Sequence, residues 1–235
     1  MTLLLIALAP IAILAFYLYF ADKHEKEPLG ILVKALIAGA LTVIPVLLVD
    51  SGLEFFTPSD PNLKVFWNAF IIAALVEEAF KFLALYLITW KNRNFNERFD
   101  GIIYAVYVSL GFALIENILY VLQGGLSVGI LRALTAVPAH ALFGISMGFH
   151  YGIAKFEPSK KQAQMFFAFT IPFILHGLYD YILMSENTIL LILFIPFVVF
   201  MWVFSIKRMR RHSKDSEFLK QPENTSVDTT NTPQV

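Results

Sequence analysis

The sequence predicts an all-α protein, a polytopic transmembrane helix bundle, and three observations support this prediction. Hydrophobic residues make up 57% of the 235-residue chain and charged residues 15%, whereas soluble domains are about 45–50% apolar. Long apolar stretches alternate with short polar connections. Lysine and arginine gather in every second connection, which is the pattern that orients membrane helices.

About seven stretches are long enough to cross roughly 30 Å of hydrocarbon. They run from Leu3 to Phe20, Leu29 to Val49, Val65 to Trp90, Gly101 to Gln123, Val128 to Ala154, Gln164 to Met184 and Thr188 to Ile206. The first stretch has neither a basic leader nor a small-residue cleavage site, so we expect it to remain as a membrane anchor.

The distribution of basic residues predicts the orientation of these helices. The connections after the first, third, fifth and seventh stretches are basic, and the three between them contain only Lys64. The positive-inside rule then places the N-terminus outside and the C-terminus in the cytoplasm. We expect residues 1–206 to form the membrane domain, and residues 207–235 to form a basic and then disordered cytoplasmic tail.

Composition also excludes several classes of partner and site. The formal net charge is zero, which gives no electrostatic basis for binding nucleic acid. The chain has no cysteine, so disulfides and thiolate metal sites are excluded, and any metal would need histidine and carboxylate ligands. The lipid bilayer is the one partner that composition predicts. Composition does not indicate the oligomeric state.

Ionisable residues lie inside four successive predicted helices, where a lone charge costs about 2.5–3.5 kcal/mol. Such residues are retained when they face protein or a water-filled cavity. We therefore expect one shared polar cavity that opens to the outside. Its members are Glu77, Glu78 and Lys81 in the third helix, Glu116 and Asn117 in the fourth, His140 in the fifth, and His176 and Asp180 in the sixth.

Helical spacing indicates how these groups pair. His176 and Asp180 are four residues apart and share a face, so Asp180 is placed to orient the imidazole. Glu77 and Glu78 are about 100° apart on a helix. Lys81 is within reach of both, and we expect it to hold one glutamate and leave the other free.

Other residues in the same helices carry structural expectations. Pro138 and Pro172 are expected to bend the fifth and sixth helices. Small residues recur on the His140 face, where they allow close backbone approach or leave space for a substrate: Ala136, Gly144 and Gly148. Lys34, Asp50 and Arg132 lie near helix ends, where we expect them to reach the membrane interface. No role is predicted for His24, His150 and His212.

A carboxylate and a histidine that face the same water can remove its proton, which indicates a hydrolase. The predicted catalytic residues are Glu77, Glu78, Glu116, His140 and His176, supported by Lys81, Asn117 and Asp180. His176 and Asn117 could donate hydrogen bonds to an oxyanion. The same groups suit zinc, with His140, His176, Glu116 and Asp180 as candidate ligands. The sequence leaves open whether a metal is used.

Four motifs follow one another along the chain: Glu77-Glu78-Ala-Phe-Lys81, Gly111-Phe112-Ala-Leu-Ile-Glu116-Asn117, Pro138-Ala-His140-Ala and His176-Gly-Leu-Tyr-Asp180. In this order they resemble the PrsW family of bacterial membrane proteases, which is similar in turn to type II CAAX prenyl proteases and bacteriocin-processing enzymes. The resemblance implies a multi-pass plasma-membrane protease that cleaves a single-span anti-sigma factor at site 1. That cleavage would begin the release of an extracytoplasmic-function sigma factor in a stress response.

The resemblance also implies roles for individual residues. Glu77 and Glu78 would include the water-activating base, and His176 with Asp180 would match the His-x-x-x-Asn/Asp motif. The chain departs from the CAAX-protease motif Phe-x-x-x-His because Glu116, not histidine, follows Phe112. We expect His140 to take that place in space, and the departure argues against prenylated substrates.

Two other classes of function remain as alternatives. A proton-coupled transporter also uses intramembrane Glu, His and Asp residues, but it needs polar groups reachable from both sides of the membrane. A non-catalytic membrane scaffold is the second alternative, because the gamma-secretase scaffold subunit is distantly similar to this group of proteases.

Overall fold

The computed structural model describes residues 2–220, and the regular structure in that range is entirely helical. A π-helical segment, Trp67–Leu75, joins α3 to α4 without a break. The α-helices are α1 (Thr2–Ala21), α2 (Leu29–Leu53), α3 (Pro61–Phe66), α4 (Val76–Thr89), α5 (Arg98–Leu134), α6 (Ala136–Phe156), α7 (Lys161–Met184) and α8 (Thr188–Lys214).

Five helical segments are long and apolar enough to cross a membrane. They are Leu3–Ala21, Leu29–Phe56, Arg98–Phe156, Pro158–Met184 and Thr188–Leu219. The run from Pro61 to Thr89 is not among them, because Glu77, Glu78 and Lys81 interrupt its apolar sequence. The first and fourth predicted helices correspond to α1 and the first part of α5, and the sixth and seventh to α7 and α8.

α5 and α6 form the centre of the bundle. In the apolar stretch of the α5–α6 segment, 67% of the residues are buried, whereas in that of α8 only 11% are buried. α5 packs against α1, α2 and α6, and α6 packs against α7. The small-residue face of α6 lies in the α5–α6 contact, because a Cβ at Gly144 would lie 2.9 Å from Val106 Cα and one at Gly148 would meet Gly101. This face therefore serves close helix packing.

The prediction of one continuous fifth helix from Val128 to Ala154 is wrong. α5 continues to Leu134, and Thr135 (φ −122°, ψ −72°) separates it from α6. Pro138 consequently lies in the first turn of α6, where a missing N–H costs no hydrogen bond. The bend that we expected from Pro138 is therefore absent.

α5 itself reverses direction at Gly125, whose φ of 72° is in the left-handed region that glycine adopts without strain. A Cβ at Gly129 would lie 3.1 Å from Val121 Cγ2, so the residues after Gly125 fold back along the helix they came from. We call residues 126–134 the returning limb.

Past the apolar part of α8, residues 207–214 continue the helix, and its end is anchored to α6. Arg208 Nη2 donates to His150 Nε2 at 2.9 Å, and His212 Nε2 donates to the Phe149 carbonyl at 2.8 Å. His150 and His212 are thus buried packing groups. Disorder was predicted from Ser213 onward, but in the described part of that segment α8 continues to Lys214 and a 3₁₀ helix follows at Glu217–Lys220. The rest of that prediction concerns residues 221–235, which lie outside the described residues.

Candidate functional site

The glutamate pair lies at the start of α4, directly after the π-helical segment. Both side chains are buried: Glu77 is 8% exposed and Glu78 is 0% exposed. Lys81 Nζ donates to Glu77 Oε2 and to Glu78 Oε1, each at 2.9 Å. The expectation that Lys81 holds only one glutamate is therefore wrong, and exposure is what distinguishes the two.

His140 joins the glutamate pair to α5. Its Nε2 donates to Glu116 Oε2 at 2.8 Å, and its Nδ1 lies 3.2 Å from Lys81 Nζ. A lysine ammonium can only donate hydrogen bonds, so Nδ1 accepts and the proton of this imidazole is on Nε2. The ring also lies 5.7 Å from the Phe112 ring, centroid to centroid. His140 thus lies beside the Phe112–Glu116 segment, as we predicted.

His176 lies between two carboxylates. Its Nδ1 donates to Glu78 Oε1 at 3.0 Å, and its Nε2 is 3.2 Å from Asp180 Oδ2. The second contact is the pairing predicted from the four-residue spacing. The His140 and His176 rings are 5.4 Å apart, so the two histidines, which belong to different helices, meet at one place.

Arg132 is a member of this cluster that sequence reasoning missed. Its Nη2 lies 2.8 Å from Glu116 Oε2, and its Nε donates to Asn117 Oδ1 at 3.1 Å. The expectation that Arg132 reaches the membrane interface is wrong, because the returning limb brings it back beside Glu116. The signal in the sequence was the Gly124-Gly125 pair, which permits a reversal that apolar length alone does not reveal.

Asn117 lies outside the cavity and links Arg132 to α1. Its Nδ2 donates to the Ala7 carbonyl of α1 at 3.1 Å, and its Oδ1 accepts from Arg132. Both ends of the amide are therefore engaged. Asn117 does not line the cavity described next, so the structure places it as a holder of Arg132 and not as a donor to an oxyanion.

A cavity of about 400 Å³ opens among residues of the π-helical segment, α4, α5, α6 and α7. Its polar lining includes most of the predicted residues, and its wall is completed by apolar and aromatic side chains. Glu78 and Lys81 lie behind that wall. The polar and ionisable lining residues are Glu77, Glu116, Tyr120, Arg132, Thr135, His140, His176, Tyr179 and Asp180.

Three ligand atoms in this cluster are close enough to hold a metal ion. Glu77, Glu78 and His176 each offer one atom, and these atoms lie within 4.8 Å of one another. Glu78 Oε2 is buried and has no hydrogen-bond partner within the described residues, so one carboxylate oxygen remains available. Two carboxylates and an imidazole suit zinc. The residues present therefore fit a divalent ion.

The profile of the family described as "PrsW family intramembrane metalloprotease" matches residues 27–206. No solved structure matches the chain.

Several curated proteins named Protease PrsW are similar to the chain over most of its length. The Oceanobacillus iheyensis protein is 37% identical over 216 residues, which are 92% of this chain and 98% of the relative. The Clostridioides difficile protein is 36% identical over 92% of this chain and 93% of its own length. The Bacillus subtilis protein is 34% identical over 87% of this chain and 92% of its own length.

Proposed function

Because the chain belongs to the PrsW family of intramembrane metalloproteases, we propose that it is a multi-pass plasma-membrane protease that makes the first cut in a single-span anti-sigma factor. That cut begins the release of an extracytoplasmic-function sigma factor. The observation that carries the proposal is the cavity in which two histidines and three carboxylates from different helices face the same space: His140, His176, Glu77, Glu116 and Asp180.

We propose that Glu77 is the water-activating base. It lines the cavity and is 8% exposed, whereas Glu78 is 0% exposed and lies behind it. In the reaction, Glu77 takes a proton from water, the water oxygen bonds to the peptide carbonyl carbon, and the C–N bond breaks as the proton passes to the leaving nitrogen. Glu78 holds His176 in place through the bond to Nδ1.

The cations of the site have a separate role. Arg132 lines the cavity, and a guanidinium there stabilises the negative charge that develops on the carbonyl oxygen. Lys81 contacts both glutamates and His140 from behind the cavity. It therefore balances the charge of the buried carboxylates and fixes their positions.

A divalent ion held by Glu77, Glu78 and His176 would supply Lewis-acid polarisation of the carbonyl and a more acidic water. Lys81 Nζ lies 2.9 Å from both carboxylates, so the ammonium and the ion would share the same pair of ligands. His140 and Glu116, and also Asp180, stay candidates for the coordination of a metal because they border the same cavity.

The orientation we propose puts the N-terminus outside and the C-terminus in the cytoplasm. Lys23 and Lys26 follow α1, and Lys207, Arg210 and Arg211 extend the far end of α8. The positive-inside rule assigns that end to the cytoplasm and the cavity to the outer side. In this arrangement, residues 1–206 are the catalytic unit and 207–235 the cytoplasmic tail.

The packing of α5 favours a protease over a proton-coupled transporter. Between Asp100, which is buried in the first turn of α5, and the cavity, α5 presents an unbroken series of buried residues, Ala105 to Ala113. The only polar members are Tyr107 and Ser109. A transporter needs access to its polar groups from both sides, and this stretch offers no chain of ionisable groups.

The test is a cleavage assay with the purified protein in proteoliposomes and a panel of single-span anti-sigma factors. We expect cleavage of at least one panel member on its extracytoplasmic side. Glu77→Gln and His176→Ala should each lower the rate by about a hundredfold or more, whereas the exposed Glu54→Gln should not change it. Undiminished cleavage by both site variants would contradict the proposal. A chelator series, with zinc added back, decides whether a metal is required.

A further inference from the structure

A second cavity lies at the other end of the bundle, between the end of α1 and the end of α8. Its volume is about 470 Å³, which is within the range of roughly 300–1,000 Å³ that small-molecule sites occupy. None of its lining residues belongs to the proposed catalytic site. Three of them are cations: Lys23, Arg210 and Lys214.

These cations have no acidic partner within the described residues, since none of them occurs in an ion pair. Two acids near the end of α8 are engaged elsewhere. Asp215 pairs with Arg211 at 3.8 Å, and Glu217 pairs with Arg98 at 3.5 Å. The cavity therefore holds a concentration of positive charge that an anion can neutralise.

The cavity also has an apolar side. Tyr17, Phe20 and Ile206 line it, and the first two are 56% and 70% exposed. Phe99 and Met209 form a buried floor. An inorganic anion would use only the cations, whereas a ligand with a charged head and an apolar chain would use both sides.

The position of the cavity matches the boundary of the hydrocarbon layer. At about 1.5 Å per residue, the apolar part of α8, from Thr188 to Ile206, spans roughly the 30 Å thickness of a bilayer core. Arg210 and Lys214 follow one and two turns later on the same helix, and Lys23 follows the end of α1. The apolar side therefore lies at acyl-chain depth and the cations at headgroup depth.

The cavity is held open by a contact between its two walls. His24 Nε2 donates to the Ser213 carbonyl at 2.9 Å, which links the α1–α2 connection to the end of α8. The anchoring of α8 to α6 through Arg208 and His212 fixes the second wall. The site is thus formed before a ligand binds.

We propose that this cavity binds one anionic phospholipid, with its phosphate among Lys23, Arg210 and Lys214 and an acyl chain along Tyr17 and Ile206. Basic pockets between helices at the cytoplasmic side of a membrane recognise anionic headgroups in this way. The site is independent of the proposed peptidase activity.

The test is native mass spectrometry of the full-length protein, released from detergent with equal amounts of phosphatidylglycerol and phosphatidylcholine of the same chain length. We expect one retained phosphatidylglycerol. The variant Arg210→Gln/Lys214→Gln should lower its retention by about tenfold or more, because each cation near an anionic headgroup strengthens binding. The matched control is Lys91→Gln/Arg93→Gln, which removes two exposed cations from a connection that does not line this cavity.

A second variant separates a lipid in the cavity from general attraction to the basic surface. Ala21→Phe keeps every charge and fills part of the cavity, so it should also lower retention. Equal retention of the two lipids, an equal loss in the Lys91/Arg93 control, or undiminished retention in Ala21→Phe would each overturn the proposal. Full competition by millimolar sn-glycerol 3-phosphate would overturn it in favour of a soluble phosphate.

The remaining rival occupant is the chain's own tail, because residues 221–235 contain Glu223 and Asp228 but no lysine or arginine. The full-length variant Glu223→Gln/Asp228→Asn tests this directly. Retention equal to that of the parent supports the lipid site. A large rise in retention would overturn the proposal, because it would identify the tail as the occupant.

Discussion

Buried carboxylates lie near both ends of the central helix α5, but their partners differ. At the cavity end, Glu77, Glu78 and Glu116 contact the cations Lys81 and Arg132. At the other end, Tyr104 OH donates to Glu27, and Glu27 also contacts Asp100. No cation pairs with Glu27 or Asp100 within the described residues.

The unfavourable free energy of burying carboxylates is therefore offset differently in the two clusters. Burial raises the pKa of Glu27 to about 7, and it also raises the pKa of the nearby Asp22 and Glu97. At that pKa, Glu27 keeps its proton below neutral pH, and its hydrogen bonds with Tyr104 and Asp100 pack the α1–α2 connection onto α5. At the cavity end, cations compensate the charges, and a cavity gives access to water. This difference supports our proposal that the chemistry takes place at the cavity end.

The largest expected effect comes from removing a cation of the cavity end. Lys81→Met leaves Glu77 and Glu78 buried without their shared partner, and breaking such a pair costs about 3–5 kcal/mol. Thermal unfolding in detergent should show a large loss of stability. The exposed Lys64→Met is the matched control and should have little effect.

Neutralising the carboxylates as well should restore much of that loss. The variant Lys81→Met/Glu77→Gln/Glu78→Gln is expected to unfold at a higher temperature than Lys81→Met alone, because no buried charge is left uncompensated. If Lys81→Met were as stable as the parent, charge compensation would not be what holds this cluster together.

A smaller effect is expected at the turn that delivers Arg132. Gly125 has a φ of 72°, and a Cβ built there would meet nothing within 4 Å, so alanine suffers backbone strain of about 1–3 kcal/mol and no steric clash. Gly125→Ala should lower the unfolding temperature and the cleavage rate together. Gly52→Ala is the control, because Gly52 lies in α2, a Cβ built there would meet nothing within 4 Å, and its φ is not positive. Equal behaviour of the two variants would show that the reversal at Gly125 is not required.

The smallest effect concerns the pH dependence of stability at the other end. The pKa of Glu27 is raised from 4.5 to about 7 in the folded chain, so between these values the folded state holds a proton that the unfolded state has released. Stability from this group is fully present below the lower value and is lost as the pH rises through the upper one.

Glu27→Gln removes this titration. The fall in unfolding temperature between about pH 5 and about pH 8 should be smaller in Glu27→Gln than in the parent, and the exposed Glu54→Gln should keep the parent's slope. Identical slopes in all three proteins would show that Glu27 carries no buried proton.

The sequence was sufficient to predict the helical class, most helix positions and the meeting of Glu77, Glu116, His140, His176 and Asp180. These residues are costly in an apolar helix, so their presence alone indicated a shared environment. The helical spacing of His176 and Asp180 further gave their pairing.

Features that depend on a local break in the helix could not be predicted. The reversal at Gly125 and the new start after Thr135 lie within one continuous apolar pattern, and periodicity does not distinguish one long helix from two limbs. Arg132 was misplaced for that reason. The Glu27 cluster was missed because it depends on contacts between distant segments, and Glu27 lies in a connection that the sequence marks only as polar.

The most direct test of the difference between the two ends is the initial rate of cleavage of one single-span substrate by the parent, Glu77→Gln and Glu27→Gln in matched proteoliposomes. Each protein is first shown to be folded by its unfolding temperature. We expect Glu77→Gln to be slower by about a hundredfold or more and Glu27→Gln to cut at close to the parental rate at acidic to neutral pH. Parental cleavage by folded Glu77→Gln, or an equal loss in Glu27→Gln, would contradict the assignment of the chemistry to the cavity end.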